Sequence, residues 1–110
     1  MSHYMLRWQL KDSTAKNLAE NPQDRTGPAR TLMESFGGKL HSYFFALGEY
    51  DGVAIVEFPD NVSAVACSMS ATSTGAFARF ETTALLTAKE AQAAMKKAKD
   101  TKTGYKAPNA

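Results

Sequence analysis

Leu40-His41-Ser42-Tyr43-Phe44-Phe45-Ala46-Leu47, then Gly48-Glu49-Tyr50-Asp51, then Gly52-Val53-Ala54-Ile55-Val56-Glu57-Phe58-Pro59-Asp60: two apolar runs flank a short segment of Gly and Asp. Aromatic and β-branched runs on either side of such a segment predict a β-hairpin. A hairpin fixes a register, and the register decides which polar side chains share a face. If Gly48 faces Asp51, Ala46 opposes Val53 and Phe44 opposes Ile55 on one face. Phe45 then opposes Ala54, and Tyr43 opposes Val56, on the other. Both faces are largely apolar.

The elements around the hairpin follow from periodicity. Tyr4, Leu6, Trp8 and Leu10 alternate with His3, Met5, Arg7 and Gln9, a first strand with one strongly apolar face. Asp12-Ser13 offers a helix N-cap, and the helix falters at Asn21-Pro22, since proline disfavours helical geometry in the residue before it. A second helical stretch starts near Asp24, carries Ala29, Leu32, Met33 and Phe36 at helical spacing, and stops at Gly37-Gly38. After the hairpin, Pro59-Asp60 caps a helix of small residues closed by Gly75; Phe77 to Leu86 reads as a last strand. Thr87 caps a short Ala-rich helix, Ala88 to Ala98. The order strand, helix, strand, strand, helix, strand predicts an α+β fold: a ferredoxin-like βαββαβ antiparallel sheet with helices on one face, plus a short C-terminal helix and basic tail. The helices cover one face only. The second apolar face needs a partner, so the chain is expected to be a homo-oligomer, most simply a two-fold dimer packed sheet to sheet.

Bulk properties narrow the function classes. The chain has 110 residues, enough for one domain with one modest core. Its formal charge of +2 is too small to argue for nucleic acid. Much of the positive charge is local, with Lys96, Lys97, Lys99, Lys102 and Lys106 near the C-terminus, which reads as a solvated tail. The division expected is a domain over 1–98 and a basic tail over 99–110. One cysteine, Cys67, excludes an intrachain disulfide, and its small-residue surroundings predict an inert buried thiol. No apolar run is long enough to span a bilayer, and no signal-peptide stretch opens the sequence, so no membrane partner and a cytoplasmic location are expected.

Several segments together carry a family resemblance: Gly37-Gly38-Lys39-Leu40, Gly48-Glu49-Tyr50-Asp51, Val53-Ala54-Ile55-Val56-Glu57, Pro59-Asp60 and Thr82-Thr83. From Tyr4 to Leu86 the chain resembles the GYD-domain family, named for its Gly-x-Tyr-Asp segment. The resemblance implies a small bacterial protein that assembles as a dimeric α/β barrel. That shape is similar to stress-responsive barrel proteins and to small cofactor-free monooxygenases. It carries over no reaction. The leucine-poor helix after Pro59-Asp60 and the Lys-rich segment after Ala88 depart from the family pattern.

Among candidate site residues, Tyr50 and Asp51 pair a hydroxyl with a carboxylate at a turn, where they can orient a polar ligand. The simpler account is that Asp51 bonds backbone and Tyr50 packs over the hairpin. His41 and Tyr43 are expected on one face of one strand, and histidine is the side chain most easily tuned for proton transfer near neutrality. Glu57 is expected on the opposite face, opposing Ser42, with Arg7 on its side to neutralise it. His41 and Glu57 are therefore the candidate catalytic bases, and Arg7, Tyr43, Tyr50 and Asp51 the candidate ligand-binding residues. No metal is predicted: the histidines are His3 and His41 alone, and no ligand pair has zinc-like spacing. No cofactor is predicted either, since a lone His41 is poor evidence for haem and no Gly-rich phosphate loop is present. The RNA-binding glycine-aromatic pattern is also missing. The reading is an oligomeric module that binds a small apolar molecule. Two rivals stand beside it: a cofactor-independent monooxygenase or isomerase, and a purely structural assembly module.

Overall fold

The computed structural model describes residues 1–109. Four strands, β1 (Ser2–Leu10), β2 (Lys39–Phe45), β3 (Gly52–Phe58) and β4 (Phe77–Leu85), form one sheet in the order β2-β3-β1-β4. Every neighbouring pair is antiparallel. Helices α1 (Asp12–Glu20) and α2 (Thr26–Ser35) join β1 to β2, and α3 (Asn61–Thr72) joins β3 to β4. Helix α4 (Ala88–Asp100) follows the last strand. This is the ferredoxin-like α+β arrangement.

Local chemistry sets the helix ends. Asp60 caps α3, its Oδ1 accepting the Ser63 amide at 2.8 Å. Thr87 and Glu90 form a reciprocal capping box at the start of α4. At α1 the cap position is Lys11, with Asp12 the first helical residue, so Asp12 is an acidic first-turn residue instead of the predicted cap. α4 runs two residues past its predicted end at Ala98, to Asp100.

The core lies between the sheet and the helices. Tyr4, Leu6 and Trp8 of β1 and Ala54, Val56 and Phe58 of β3 point into it. Met33 of α2, Leu40 of β2, and Ala64 and Cys67 of α3 close it. The small residues of α3 let the helix approach β4 closely: Ser68 Oγ lies 2.6 Å from Thr82 Oγ1.

The hairpin register differs from the expected one in two ways. Phe45 pairs with Gly52, Phe44 with Val53 and Tyr43 with Ala54, a shift of two residues that lengthens the loop to Ala46–Asp51. Because a strand's side chains alternate with period two, the shift leaves each hairpin residue from Ser42 to Phe58 on its predicted face. The second difference is a bulge. Leu40 pairs with Val56 but Ser42 with Ile55, so His41 is an extra residue on β2. Leu40 is buried and Tyr43 packs against Trp8 in the core, while His41 meets Glu57 on the other side of the sheet. The pairing of His41 with Tyr43 on one face, and of Glu57 with Ser42 across the ladder, is therefore corrected. One inserted residue changes the parity of the strand.

Among the described residues no helix lies over the outer face of the sheet. Met5, Val53 and Ile55 are half-exposed there, and Phe44 is 62% exposed. Helix α4 projects from the body, leaving Leu86 and Met95 in solvent. The radius of gyration is 17.8 Å, whereas a compact domain of this length has about 13 Å.

Candidate functional site

Between the helices and the Trp8 end of the sheet, from β2 across to β4, the core is not filled. A cavity of about 330 Å³ opens there, lined by Trp8, Leu18, Leu32, Tyr43, Phe77 and Phe80 among other apolar side chains. Its aromatic wall is built on Trp8, whose ring lies 5.4 Å from Tyr43 and stacks on Phe80 at 6.0 Å. Trp8 can lie flat here because its cross-strand partner is Gly52. A Cβ at Gly52 would run into the indole. Polar groups in the lining are few. The Thr14 hydroxyl donates to the Ala76 carbonyl at 2.7 Å, Arg25 sits at the rim, and the Tyr43 hydroxyl is half-buried. Burial raises the Tyr43 pKa above its ordinary value, which keeps the phenol protonated. Burial likewise pushes the Cys67 thiol up to about 11. Among the described residues no histidine or carboxylate lines this cavity.

The Gly48-Glu49-Tyr50-Asp51 segment folds back over β1. Gly48 has φ 120°, which disfavours any side chain although the space is open. The Asp51 amide donates to the Trp8 carbonyl at 2.8 Å, and Asp51 Oδ2 accepts the Leu10 amide at 2.7 Å. Asp51 thus ties the loop to the end of β1. Tyr50 lies on the outer face with the Arg7 guanidinium 4.4 Å from its ring centroid and Arg79 at 5.5 Å. Glu81 bridges both arginines, at 2.9 Å from Arg7 and 2.7 Å from Arg79. The neighbouring Tyr50 hydroxyl, followed by the Arg79 and Arg7 charges, holds the Glu81 carboxyl below its ordinary pKa. Arg7 Nε is buried without a partner among the described residues.

A second polar group lies at the other end of the outer face. Glu57 on β3 has His3 of β1 as its direct cross-strand partner and the bulged His41 of β2 on its other side. His41 Nε2 is 2.7 Å from Glu57 Oε2, and His3 Nε2 is 3.7 Å from Glu57 Oε1. The two imidazoles stack with centroids 5.6 Å apart. The hydrogen bond from His41, followed by the charges around it, holds the Glu57 carboxyl below its ordinary pKa.

The predicted residues therefore fall into three places. Tyr43 alone reaches the cavity. Arg7, Tyr50 and Asp51 meet around the loop, and Arg7 pairs with Glu81 instead of neutralising Glu57. His41 and Glu57 meet each other across the sheet from the cavity. Sequence reasoning missed His3 as the third member of that group, because a β1 residue and a β2 bulge have no spacing rule to link them. It also missed Glu81 and Arg79, whose alternation along β4 with Phe80 was the available signal.

Residues 4–95 match the GYD domain. No curated protein is a sequence match. Among solved structures, one described as that of MtbAldR shares the fold at 16% identity, with a TM-score of 0.51 over 78% of this chain. The aligned part is 52% of that protein, so the present chain spans about half its length. At that identity the likeness concerns the fold alone. The family match covers most of the chain, from the first strand into α4, and takes in the loop that ties β3 back onto β1: the chain belongs to the GYD-domain family.

Proposed function

We propose that this protein is a homodimeric binding module that holds one small apolar molecule per chain in the cavity beside Trp8. The cavity is the observation that carries the reading. Its volume of about 330 Å³ lies at the low end of the range for small-molecule sites, about 300–1,000 Å³. Its walls are aromatic and aliphatic, with Tyr43 and Arg25 as polar groups at one side. The candidate bases His41 and Glu57 stand on the opposite side of the sheet, which counts against catalysis inside the cavity. Dimerisation is supported by the uncovered outer face around Phe44, Val53 and Ile55 and by the unpacked α4. A bacterial, cytoplasmic setting goes with this reading.

Trp8 is the single tryptophan and lies in the cavity wall, so its fluorescence reports occupancy. Titration with naphthalene- and indole-class compounds is expected to change the emission saturably, at one molecule per chain. Leu32→Trp, which fills the cavity from α2, should abolish the response. Emission that none of these compounds shifts, in a folded protein, refutes the binding reading. For assembly, Phe44→Asp places a charge on the outer face. Sedimentation at micromolar concentration should show a dimer for the wild type and monomer for the variant; a wild-type monomer refutes the pairing.

A further inference from the structure

We propose that His3, His41 and Glu57 form a binding site for a first-row divalent metal ion, Zn²⁺ foremost, on the outer face of the sheet. The donors are two imidazole nitrogens and one carboxylate oxygen, a set that suits borderline transition-metal dications and not Mg²⁺ or Ca²⁺. Their ligand atoms all lie within 4.8 Å of one another. With Zn–N near 2.0–2.1 Å and Zn–O near 2.0–2.2 Å, tetrahedral donors sit about 3.3 Å apart. The His41–Glu57 separation of 2.7 Å must widen by a few tenths of an ångström, and the His3–Glu57 separation of 3.7 Å must shorten by about as much. Rotation about the side-chain torsions of partly exposed residues covers both changes. In the single chain the side chains are 36%, 34% and 20% exposed for His3, His41 and Glu57, so an ion can enter before the outer face pairs.

The backbone supplies the rest of the argument. Glu57 lies on the central strand of the three, with one histidine from each neighbour, and the three sit on rigid strands. The bulge lets His41 face outward while Tyr43 stays in the core; bulges recur where a side chain is re-aimed at a site. An ordinary ion pair needs one imidazole, yet two stack side by side with both Nε2 atoms toward one carboxylate. Lys39, opposite Glu57 in the ladder, and Glu90 of α4, near His3, bring one charge of each sign to the group. Three protein donors leave a coordination position for water or an exogenous ligand.

The test uses the full chain without a histidine tag. Calorimetric titration with Zn²⁺ should give one ion per chain, and Co²⁺ should give the intense visible bands of a four-coordinate site. His3→Ala, His41→Ala and Glu57→Gln should each lower Zn²⁺ affinity about tenfold or more, since losing even a supporting partner of a ligand costs about 10–100-fold. A Cys67→Ser variant should bind as the wild type does. A measurement on the wild type guards against variants that fail to fold: carbethoxylation of His3 and His41, read by mass spectrometry, should be blocked by stoichiometric Zn²⁺. The proposal is overturned if Zn²⁺ does not saturate the protein below millimolar concentration, if the folded histidine variants keep wild-type affinity, or if Zn²⁺ protects neither histidine. The cavity reading stands or falls separately, because its readout is Trp8 on the other side of the sheet.

Discussion

Gly52→Ala adds one methyl group and should nonetheless destabilise the domain. Gly52 is buried, pairs with Trp8 across the β1–β3 ladder, and lies beneath the indole. An alanine Cβ would overlap Cε2, Cζ2 and Nε1 of that ring. The backbone at Gly52 is not in the left-handed region, so the whole penalty is steric. The ring has no easy retreat: Tyr43 is at 5.4 Å, Phe80 at 6.0 Å and Phe77 at 6.4 Å. Overpacking costs about 1–3 kcal/mol, and a ring hemmed in on three sides belongs at the upper end. Replacing glycine also restricts the unfolded chain, which returns about 0.4–1 kcal/mol. The net loss is about 2 kcal/mol, which lowers Tm by about 8 °C in a domain of this length. Thermal melts should be compared at equal chain concentration, since the proposed dimerisation would make Tm concentration-dependent. The emission of the single tryptophan should shift to the red as the indole is pushed toward the cavity mouth. A variant that melts within a degree or two of the wild type, with unchanged emission, refutes the placement of Trp8 over Gly52.

Two further outcomes follow from titratable groups. The carboxyls of Asp60 and Glu90 are held below their ordinary values of 3.8 and 4.5, in each case first by a backbone amide, from Ser63 and Thr87 respectively. A folded-state pKa that is depressed gives stability that is complete above the unfolded value and lost as pH falls through the folded one. The urea midpoint should therefore hold from neutrality to about pH 5 and fall below about pH 4. The Asp60→Asn variant should show a shallower fall, and parallel acid limbs for variant and wild type would refute the capping account. Cys67, buried in the core with its thiol pushed up to about 11, should react with a disulfide reagent only on unfolding. Complete labelling of folded protein within seconds would show that α3 does not seal it.

Strand and helix order was legible because each element has its own punctuation. The alternation of Tyr4, Leu6 and Trp8, the stop at Gly37-Gly38 and the cap at Asp60 are all local signals. The face of each hairpin residue beyond the bulge was also legible, since an error of two residues in register preserves parity. The bulge was not. Nothing in Leu40-His41-Ser42-Tyr43 marks His41 as the extra residue, because both Leu40 and Tyr43 can face a core and only the packed sheet decides that both do. That single residue moved His41 to the side of Glu57 and brought His3 into reach. The loop shows the same limit. Gly48 signals a turn, but the contact of Asp51 with the Leu10 amide is long-range, and it sets where pairing resumes.

The separation of the two faces explains why, among the described residues, no histidine or carboxylate lines the cavity. Along β1 the side chains alternate: Tyr4, Leu6 and Trp8 inward, His3, Met5 and Arg7 outward. β3 repeats the pattern with Gly52, Ala54, Val56 and Phe58 inward and Val53, Ile55 and Glu57 outward. Every titratable group that the two central strands send out of the plane, apart from Tyr4, therefore lands on the outer face. Tyr4 is committed to a hydrogen bond with Asn61 at the start of α3. The cavity's polar groups come from β2, the helices and the residues beside them, chiefly Tyr43 and Arg25, since the Thr14 and Thr74 hydroxyls donate to the carbonyls of Ala76 and Ala71. A neutral phenol held protonated by burial can donate a hydrogen bond to a ligand; it is a poor base near neutrality. On the proposed reading, the inward face suits an apolar body with one acceptor. The outward face, with its imidazole–carboxylate group at one end and its arginine–tyrosine–glutamate group at the other, carries the polar chemistry of the chain.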